Sequence, residues 1–373
     1  MKKVLVFIDW YLPAYKAGGP ISSVSNMIEL LLDDISFFIV TGNRDLNSDE
    51  PLRGVESNTW QKVKNANVIY LDKKSQNLKF LKKIVDEIQP NKIYLNGIFS
   101  SFFSIFICYF FKNKIKIIIN PRGMFGPKAL SIKSLKKSIF IKLVNFFSFY
   151  KGIHWHVSNE NELKELYNNI KGVDNISIIP NLPRDVAFFK KVKQKENELK
   201  LVSVCRVNEI KNLEFILKLL KDLSIKCSYK VIGFIEDENY YNKLKLLVQS
   251  MPENINIEFT GLLPKITIDS ELKKADLFIS SSLNENYGHS IVESLAAGVP
   301  VLISDHCPWM GLEDSNAGFR LPLDRNKFKE KLLFFHTMTE LVYNKYNLGS
   351  RSYFDKFISS EIHKNNYINL FSN

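Results

Sequence analysis

What this chain of 373 residues lacks narrows it quickly. It has four cysteines, Cys108, Cys205, Cys227 and Cys307, and no two of them are spaced as C-x-x-C. Neither a zinc cluster nor a disulfide framework is expected, and unpaired thiols in a reducing compartment are the plain reading. No G-x-G-x-x-G follows the first apolar run, since residues 10–19 offer no such spacing, which argues against a dinucleotide-dependent dehydrogenase. There is no RNA- or DNA-binding motif, no low-complexity tract and no internal repeat of fixed period. The longest apolar stretch, residues 98–111, falls short of the ~20 residues of a membrane span. Ser100, Ser101 and Ser104 also interrupt it, so a buried helix is expected there. At the N-terminus, Lys2 and Lys3 precede an apolar run at 4–8, but Asp9 ends it too early for a signal peptide and no small-residue cleavage site follows. A first buried strand is the reading, and the expectation is a cytoplasmic protein.

What is present is apolar content enough for a packed core (45%, against 24% charged) and a length that fits two domains better than one. Charge is lopsided: net +12, with a pI near 9.2. Nucleic acid, an anionic membrane face or phosphorylated substrates each answer such a charge. Without a nucleic-acid motif, the last two remain. Lysines gather at Lys112, Lys114, Lys116, Lys128, Lys133, Lys136, Lys137 and Lys142, interleaved or followed by Phe140, Phe146, Phe147, Phe149 and Tyr150. Basic and aromatic residues together suit a peripheral membrane surface; a solvated lysine face over an ordinary core helix suits them equally.

Along the chain, short β-branched runs alternate with helical patterns. Strands are predicted at 4–8, 37–41, 68–71, 92–95, 115–120, 152–157 and 176–179. Helices are predicted at 22–32, 78–88, 98–111 and 133–149. Ser158 and Asn159 can cap the next helix, with Glu162 as capping-box partner. Pro180-Asn181-Leu182-Pro183 and a charged stretch at 190–200 mark a boundary. A second series follows: strands at 199–205, 229–232, 255–259, 276–280 and 299–304, helices at 213–223, 240–250, 270–274 and 289–297. Such alternation means parallel sheets covered on both faces by helices, with ligands at the carboxyl ends of the strands. The expected division is 1–182, completed by 357–373, and 183–356, two Rossmann-like α/β domains facing across a cleft.

One string carries chemistry. After the strand ending at Ser280 come Glu285-Asn286-Tyr287-Gly288-His289, then Glu293 inside a helix, then Gly298-Val299-Pro300. A loop carboxylate precedes a helix N-terminus, whose N–H groups and positive end suit phosphate. Ionised carboxylates suit sugar and ribose hydroxyls, because each accepts several hydrogen bonds. A helix cap with a glycine stop explains Gly298 and Pro300 but not Glu285. The string resembles the signature of the family-4 retaining glycosyltransferases of GT-B fold, E-x-F-G-x-x-x-x-E-A-x-A-x-G-x-P-V. Glu285 and Glu293 match its glutamates, Tyr287 its aromatic and Gly288 its glycine.

The resemblance implies the rest of a donor site. Arg206 and Lys211, in Val204-Cys205-Arg206-Val207 with Lys211-Asn212, would hold the donor diphosphate. Glu285 would orient the donor sugar and Glu293 hold the ribose. Gly233 and Leu262 sit where relatives shape the base pocket; as turns they would look the same. Gly18-Gly19-Pro20 matches the glycine-rich turn after the first strand, or is a mere turn. Asn120-Pro121-Arg122-Gly123-Met124 matches a P-R-G-M element of a polysaccharide-synthesising bacterial subset, with Arg122 meeting the donor or an anionic acceptor. Pro308-Trp309 and Gly318 follow the same subset. A last helix from Tyr353-Phe354 to Tyr367 and Leu370 would return to the first domain. Departures are Asn96, where many relatives carry His, and Cys205, where Gly is usual. His154 and His156, on a predicted strand, read as core or edge residues. Retention of configuration, with the leaving phosphate taking the acceptor proton, follows from the resemblance. With no D-x-D at a strand end, neither a metal nor another cofactor is expected. The implied partners are a nucleotide-sugar and a glycan or lipid-linked acceptor, with an anionic membrane surface and without nucleic acid. The rivals are a GT-B-fold nucleotide-sugar epimerase, which lacks the two-glutamate string, and a degenerate non-catalytic partner subunit.

Overall fold

The computed structural model describes residues 1–131, 134–184, 186–191 and 198–372, with the backbone alone for Lys128. Lys128 as a side chain, Lys133, and residues 192–197 of the charged stretch therefore lie outside the described residues. The chain divides into two compact units, Met1–Leu182 with Ser360–Asn373, and Pro183–Ser359.

The first unit is built on eight strands: β1 (Lys2–Phe7), β2 (Ile35–Gly42), β3 (Trp60–Val63), β4 (Ala66–Leu71), β5 (Lys92–Asn96), β6 (Lys116–Asn120), β7 (His154–Val157) and β8 (Asn175–Ile178). Their order is β3-β4-β2-β1-β5-β6-β7-β8. All pairs are parallel except β3 with β4. The continuous apolar run of β1 suits a strand buried on both faces, and Val4 to Phe7 are inaccessible. One face carries α1 (Gly19–Leu30) and α13 (Ser360–Ser372), whose Met27, Ile28, Tyr367 and Phe371 pack on Val4 and Val6. The other carries α2 (Leu78–Ile88), α3 (Ile107–Phe111), α5 (Ser134–Phe146) and α6 (Glu160–Asn169); the short α4 (Pro127–Ser131) precedes α5. Asn77 caps α2, accepting from Phe80 N at 3.0 Å, and Leu81, Ile84 and Ile88 form its buried stripe. Asn159 caps α6 in the same way through Glu162 N, at 2.9 Å.

Three expectations change here. Residues 98–111 are a π-helical turn, Ser101–Phe106, leading into α3. The β3 edge strand, polar and short, carried too weak an apolar pattern to be read. The last helix is two: α12 (Glu340–Phe357) ends at Ile358, and α13 starts anew at Ser360. Tyr353 and Phe354 pack in the second unit and Tyr367 and Leu370 in the first. The end of α13 is held by lysines: Lys92 Nζ donates to Leu370 O at 2.8 Å and Lys2 Nζ to Ser372 O, cations set on the negative pole of a helix.

The second unit holds six parallel strands, β9 (Glu198–Val204), β10 (Lys226–Ile232), β11 (Ile255–Gly261), β12 (Leu277–Ser280), β13 (Val301–Ser304) and β14 (Gly318–Leu321). Their order β11-β10-β9-β12-β13-β14 reverses direction between β9 and β12, the switch point at which doubly wound sheets bind ligands. Helices α7 (Leu213–Lys221), α8 (Glu238–Gln249) and α11 (Arg325–Thr337) pack on one face. Helices α9 (Lys265–Lys274), α10 (His289–Ala297) and part of α12 pack on the other. Among the described residues no helix is long and apolar enough to cross a membrane.

Candidate active site

The carboxyl ends of β9, β10, β11 and β12 lie side by side, and the loops leaving them carry Arg206, Gly233, Leu262 and Glu285. Gly233 is where two of these loops meet. Its N–H donates to Gly261 O at 2.9 Å, and a Cβ there would sit 1.9 Å from Cys205 O, so only glycine allows the approach. Cys205 is packed below; burial pushes its thiol up to about 11, with Lys211 opposing. It therefore stays a neutral thiol at neutral pH.

Lys211 closes a single 3-10 turn, Glu209–Lys211, capped by Asn208. The loop after β12 is stitched to that turn: Leu283 N donates to Ile210 O at 2.8 Å and Ser281 Oγ to Asn212 O at 2.7 Å. The stitching brings Glu285 to Lys211, and the two form an ion pair with little exposure, 17% and 19%. Burial alone would lower the Lys211 pKa; the Glu285 carboxylate outweighs it and the net shift is upward. Arg206 donates from NH1 to Glu236 Oε1 at 2.7 Å, and Asn208 holds the same carboxylate.

Gly288 is the N-cap of α10, and His289 is its first residue. Tyr287 is buried, its ring edge-on to His289 and Trp309 at 4.7 and 5.2 Å, and Trp309 Nε1 donates to Tyr287 O at 2.6 Å. The aromatic of the signature is thus a packing residue that sets the loop. Asn286 lies in that loop. Glu293, one turn into α10, faces Arg184 at 3.3 Å. The structure therefore gathers Glu285 with Lys211, sets Arg206 on the neighbouring strand end, and pairs Glu293 separately. Leu262 is half exposed beyond β11. Sequence reading missed Arg184, Glu236 and Asp269, the partners of these charges; nothing in local spacing marks them.

In the first unit, Gly18 caps α1 and Gly19 begins it. Asn96 and Asn120 end β5 and β6. Arg122 donates to Asn96 Oδ1 from Nε at 3.1 Å and from NH2 at 2.8 Å, and also to Asn181 and to Tyr94 OH. Its guanidinium is engaged by protein acceptors and holds Asn96 in place. Gly123 N donates to Glu162, and Met124 Sδ accepts from Ile98 N at 3.4 Å, so the P-R-G-M element is tied to α6 and to the loop after β5. His156 is buried; its Nε2 meets Ile179 O at 2.9 Å, which leaves Nδ1 to accept from Tyr94 OH at 2.8 Å. Among the described residues no group of three His, Cys, Asp or Glu side chains forms a metal-binding cluster.

Two parallel α/β units of this kind define the GT-B architecture, and the comparisons agree. Residues 185–321 match the family described as glycosyl transferases group 1. Over 107 residues the chain is 31% identical to the alpha-monoglucosyldiacylglycerol synthase of Streptococcus pneumoniae, a match covering 29% of this chain and 24% of that one. The chain spans between 24% and 55% of the length of the curated relatives it matches. The sucrose-phosphate synthase of Thermosynechococcus elongatus superposes with a TM-score of 0.77 at 12% identity, covering 100% of this chain and 98% of that one. Anabaena HepE, solved in complex with UDP and glucose, superposes with a TM-score of 0.72 at 13% identity over both whole chains. At such identities the likeness is one of fold.

Proposed function

We propose that the protein is a retaining glycosyltransferase of the family-4 type, moving a sugar from a nucleotide-sugar to a hydroxyl of a glycan or lipid-linked acceptor in bacterial surface polysaccharide synthesis. The observation that carries this reading is the little-exposed Lys211–Glu285 pair at the carboxyl ends of β9 and β12, with Arg206 on the same loop as Lys211, inside the stretch that matches group 1. Negative charge grows on the leaving diphosphate as the glycosidic bond breaks. Fixed cations stabilise that charge more in the transition state than before it. Arg206 and Lys211 supply two such cations, so the reading needs no metal. Glu285, tied to Lys211, orients the sugar whose bond is cleaved, and the departing phosphate oxygen takes the acceptor proton. A relative named for a glucosyl diacylglycerol product supports a lipid-linked acceptor.

The partner surface belongs to the same proposal. Helix α5 turns Val144 to the core, with Phe140 and Ile141 packed beside it. Leu135, Ile139, Leu143 and Phe146, three or four residues apart, face outward, and Phe147 follows. Lys136 and Lys142 are exposed on the same helix. A basic helix with an outward apolar stripe suits the surface of an anionic bilayer.

The test is incubation with a panel of nucleotide-sugars and acceptor lipids, following nucleotide release and product configuration. Transfer with retention is expected. Lys211→Ala should lower turnover by about a hundredfold or more, the usual worth of one electrostatic donor. Near-normal turnover in that variant, or release without transfer to any acceptor, would overturn the assignment.

A further inference from the structure

The first unit has a cavity of its own, at the carboxyl ends of β1, β2 and β4. That edge of a doubly wound sheet is where ligands bind, and the volume of about 380 Å³ suits a small one. Gly42, the last residue of β2, forms the floor. A Cβ there would stand 3.1 Å from Asp9 O, and the buried Phe103 ring lies just beyond. Trp10, half-buried, adds apolar surface. Because β2 lies between β1 and β4, the walls that follow those two strands stand two strand spacings apart, about 10 Å.

The two walls differ in charge. After β1, Asp9 accepts from Ser100 Oγ at 2.7 Å through Oδ1, and among the described residues no other side chain donates to Oδ2. Burial raises the pKa of this carboxyl, with the Ser100 bond opposing, so the fold compensates its charge only in part. After β2 and β4 come Arg44 and Lys73. Neighbouring carboxylates do little to neutralise them. Asp45 accepts from the backbone N–H groups of Tyr15, Lys16 and Leu46. Asp49 stands 3.8 Å from Arg44 with its side chain fully exposed, where an ion pair is worth little. Among the described residues Lys73 Nζ has no acidic partner, and the Gln76 amide beside it has no hydrogen-bond partner. Beyond the rim, Lys79, Lys82 and Lys83 are exposed on α2 and extend the positive potential.

A carboxylate with an unfilled acceptor place suits a sugar hydroxyl, and an arginine with a lysine suits an anion on the far side of the same ring. A neutral ligand would leave the two cations without a partner. A bare anion would leave Asp9 facing like charge. We propose that this cavity binds a sugar bearing an acid group, a uronate carboxylate or a phosphate ester. Asp9 accepts from a ring hydroxyl, and Arg44 and Lys73 hold the acid. On the transfer reading, on which this last step alone rests, that sugar is the end residue of the acceptor.

The experiment measures binding to the intact protein at low salt, with methyl glucuronide, glucose 6-phosphate, methyl glucoside and inorganic phosphate as probes. At least one acidic sugar should bind about tenfold or more tighter than methyl glucoside, the worth of a hydrogen bond to a charged group. Which one does so separates the carboxylate from the phosphate. Arg44→Gln and Lys73→Gln should each remove most of that preference and leave the affinity for methyl glucoside as it was. Asp9→Ala should weaken both kinds of sugar and leave inorganic phosphate bound no less tightly, whereas a loss of structure would weaken every probe. Equal binding of acidic and neutral sugars would overturn the assignment. So would inorganic phosphate binding as tightly as the preferred acidic sugar, or a preference that survives both cation variants. A preference lost in Lys211→Ala would place the anion in the second unit and overturn it as well. If transfer is found and no acidic sugar binds, the inference fails and the activity stands. If an acidic sugar binds as described and no transfer is found, the cavity keeps its ligand and the transfer reading falls.

Discussion

His156 is neutral because its surroundings hold it so. Burial above all, then the Arg122 guanidinium and, least, His154, lower its pKa from 6.5 to about 3, against the hydrogen bond to Ile179 O that raises it. Tyr94, Asn120 and Tyr367 close around it. As pH falls below 6.5 the unfolded chain takes up this proton and the folded chain does not, so stability is whole above that point and declines down to about pH 3. By pH 5 the decline due to this residue is roughly 2 kcal/mol. Urea midpoints measured from pH 7.5 to pH 5 should therefore fall more steeply for the wild type than for His156→Gln. Parallel slopes would show that His156 is protonated in the folded state. At this scale Glu285 was named from the string around it and Lys211 from the resemblance, and the fold pairs the two across 74 residues. Partners that no motif carries were illegible. Arg184 is 85 residues from Asp269 and 109 from Glu293, and Glu236 is 30 from Arg206; only strand order brings them together. His156, read with His154 as a core or edge residue, is fully buried. Arg122 was read from its motif as a ligand contact, and its N–H groups meet Asn96, Asn181 and Tyr94.

The helix α10 shows how one element carries both stability and site. Its bounds were readable to the residue, because Gly288 and Gly298 punctuate it and the apolar positions between keep helical spacing. Gly298 ends it at φ 82°, and a Cβ there would lie 2.6 Å from the Phe188 ring and 2.7 Å from Asn347 Nδ2. Gly298→Ala is expected to cost roughly 2–4 kcal/mol, part for the left-handed backbone and part for the displaced ring. Thermal melting checks this; an unchanged melting temperature would show that the ring yields freely. Other elements were harder to read. Periodic aromatics run from Tyr353 to Tyr367 across the break at Ser359, so two helices looked like one. β14 and α11 were not anticipated, because Gly318 to Leu321 is short and α11 buries only Phe328, Leu332 and Phe335 among many charged residues.

For the whole molecule the net charge of +12 and the outward stripe of α5 bear on one question. The charge alone allowed a solvated lysine face. The structure places Lys112 and Lys137 against the rings of Phe149 and Phe99 and bonds them to carbonyl oxygens, so these two serve packing. Lys136 and Lys142 remain exposed beside Leu135 and Phe146, which are 73% and 81% exposed. A monomer that needed only solubility would not show a run of large apolar side chains between lysines. If the stripe meets an anionic bilayer, each lysine contributes about 1 kcal/mol near the surface, and binding weakens as salt shortens the Debye length. The protein should sediment with phosphatidylglycerol vesicles at low salt, less at high salt, and little with neutral phosphatidylcholine. Replacing Phe146 and Phe147 with Ser should raise the lipid concentration needed for half-binding by about tenfold or more, since each ring contributes up to ~1.5 kcal/mol on burial. Because both rings are largely exposed, the melting temperature should stay within the small range of surface substitutions. Lys136→Glu with Lys142→Glu should weaken binding to anionic vesicles and leave transfer to a detergent-dispersed acceptor intact. Equal sedimentation of wild type and both double variants would assign the stripe to some other contact and leave the net charge as a matter of substrate alone.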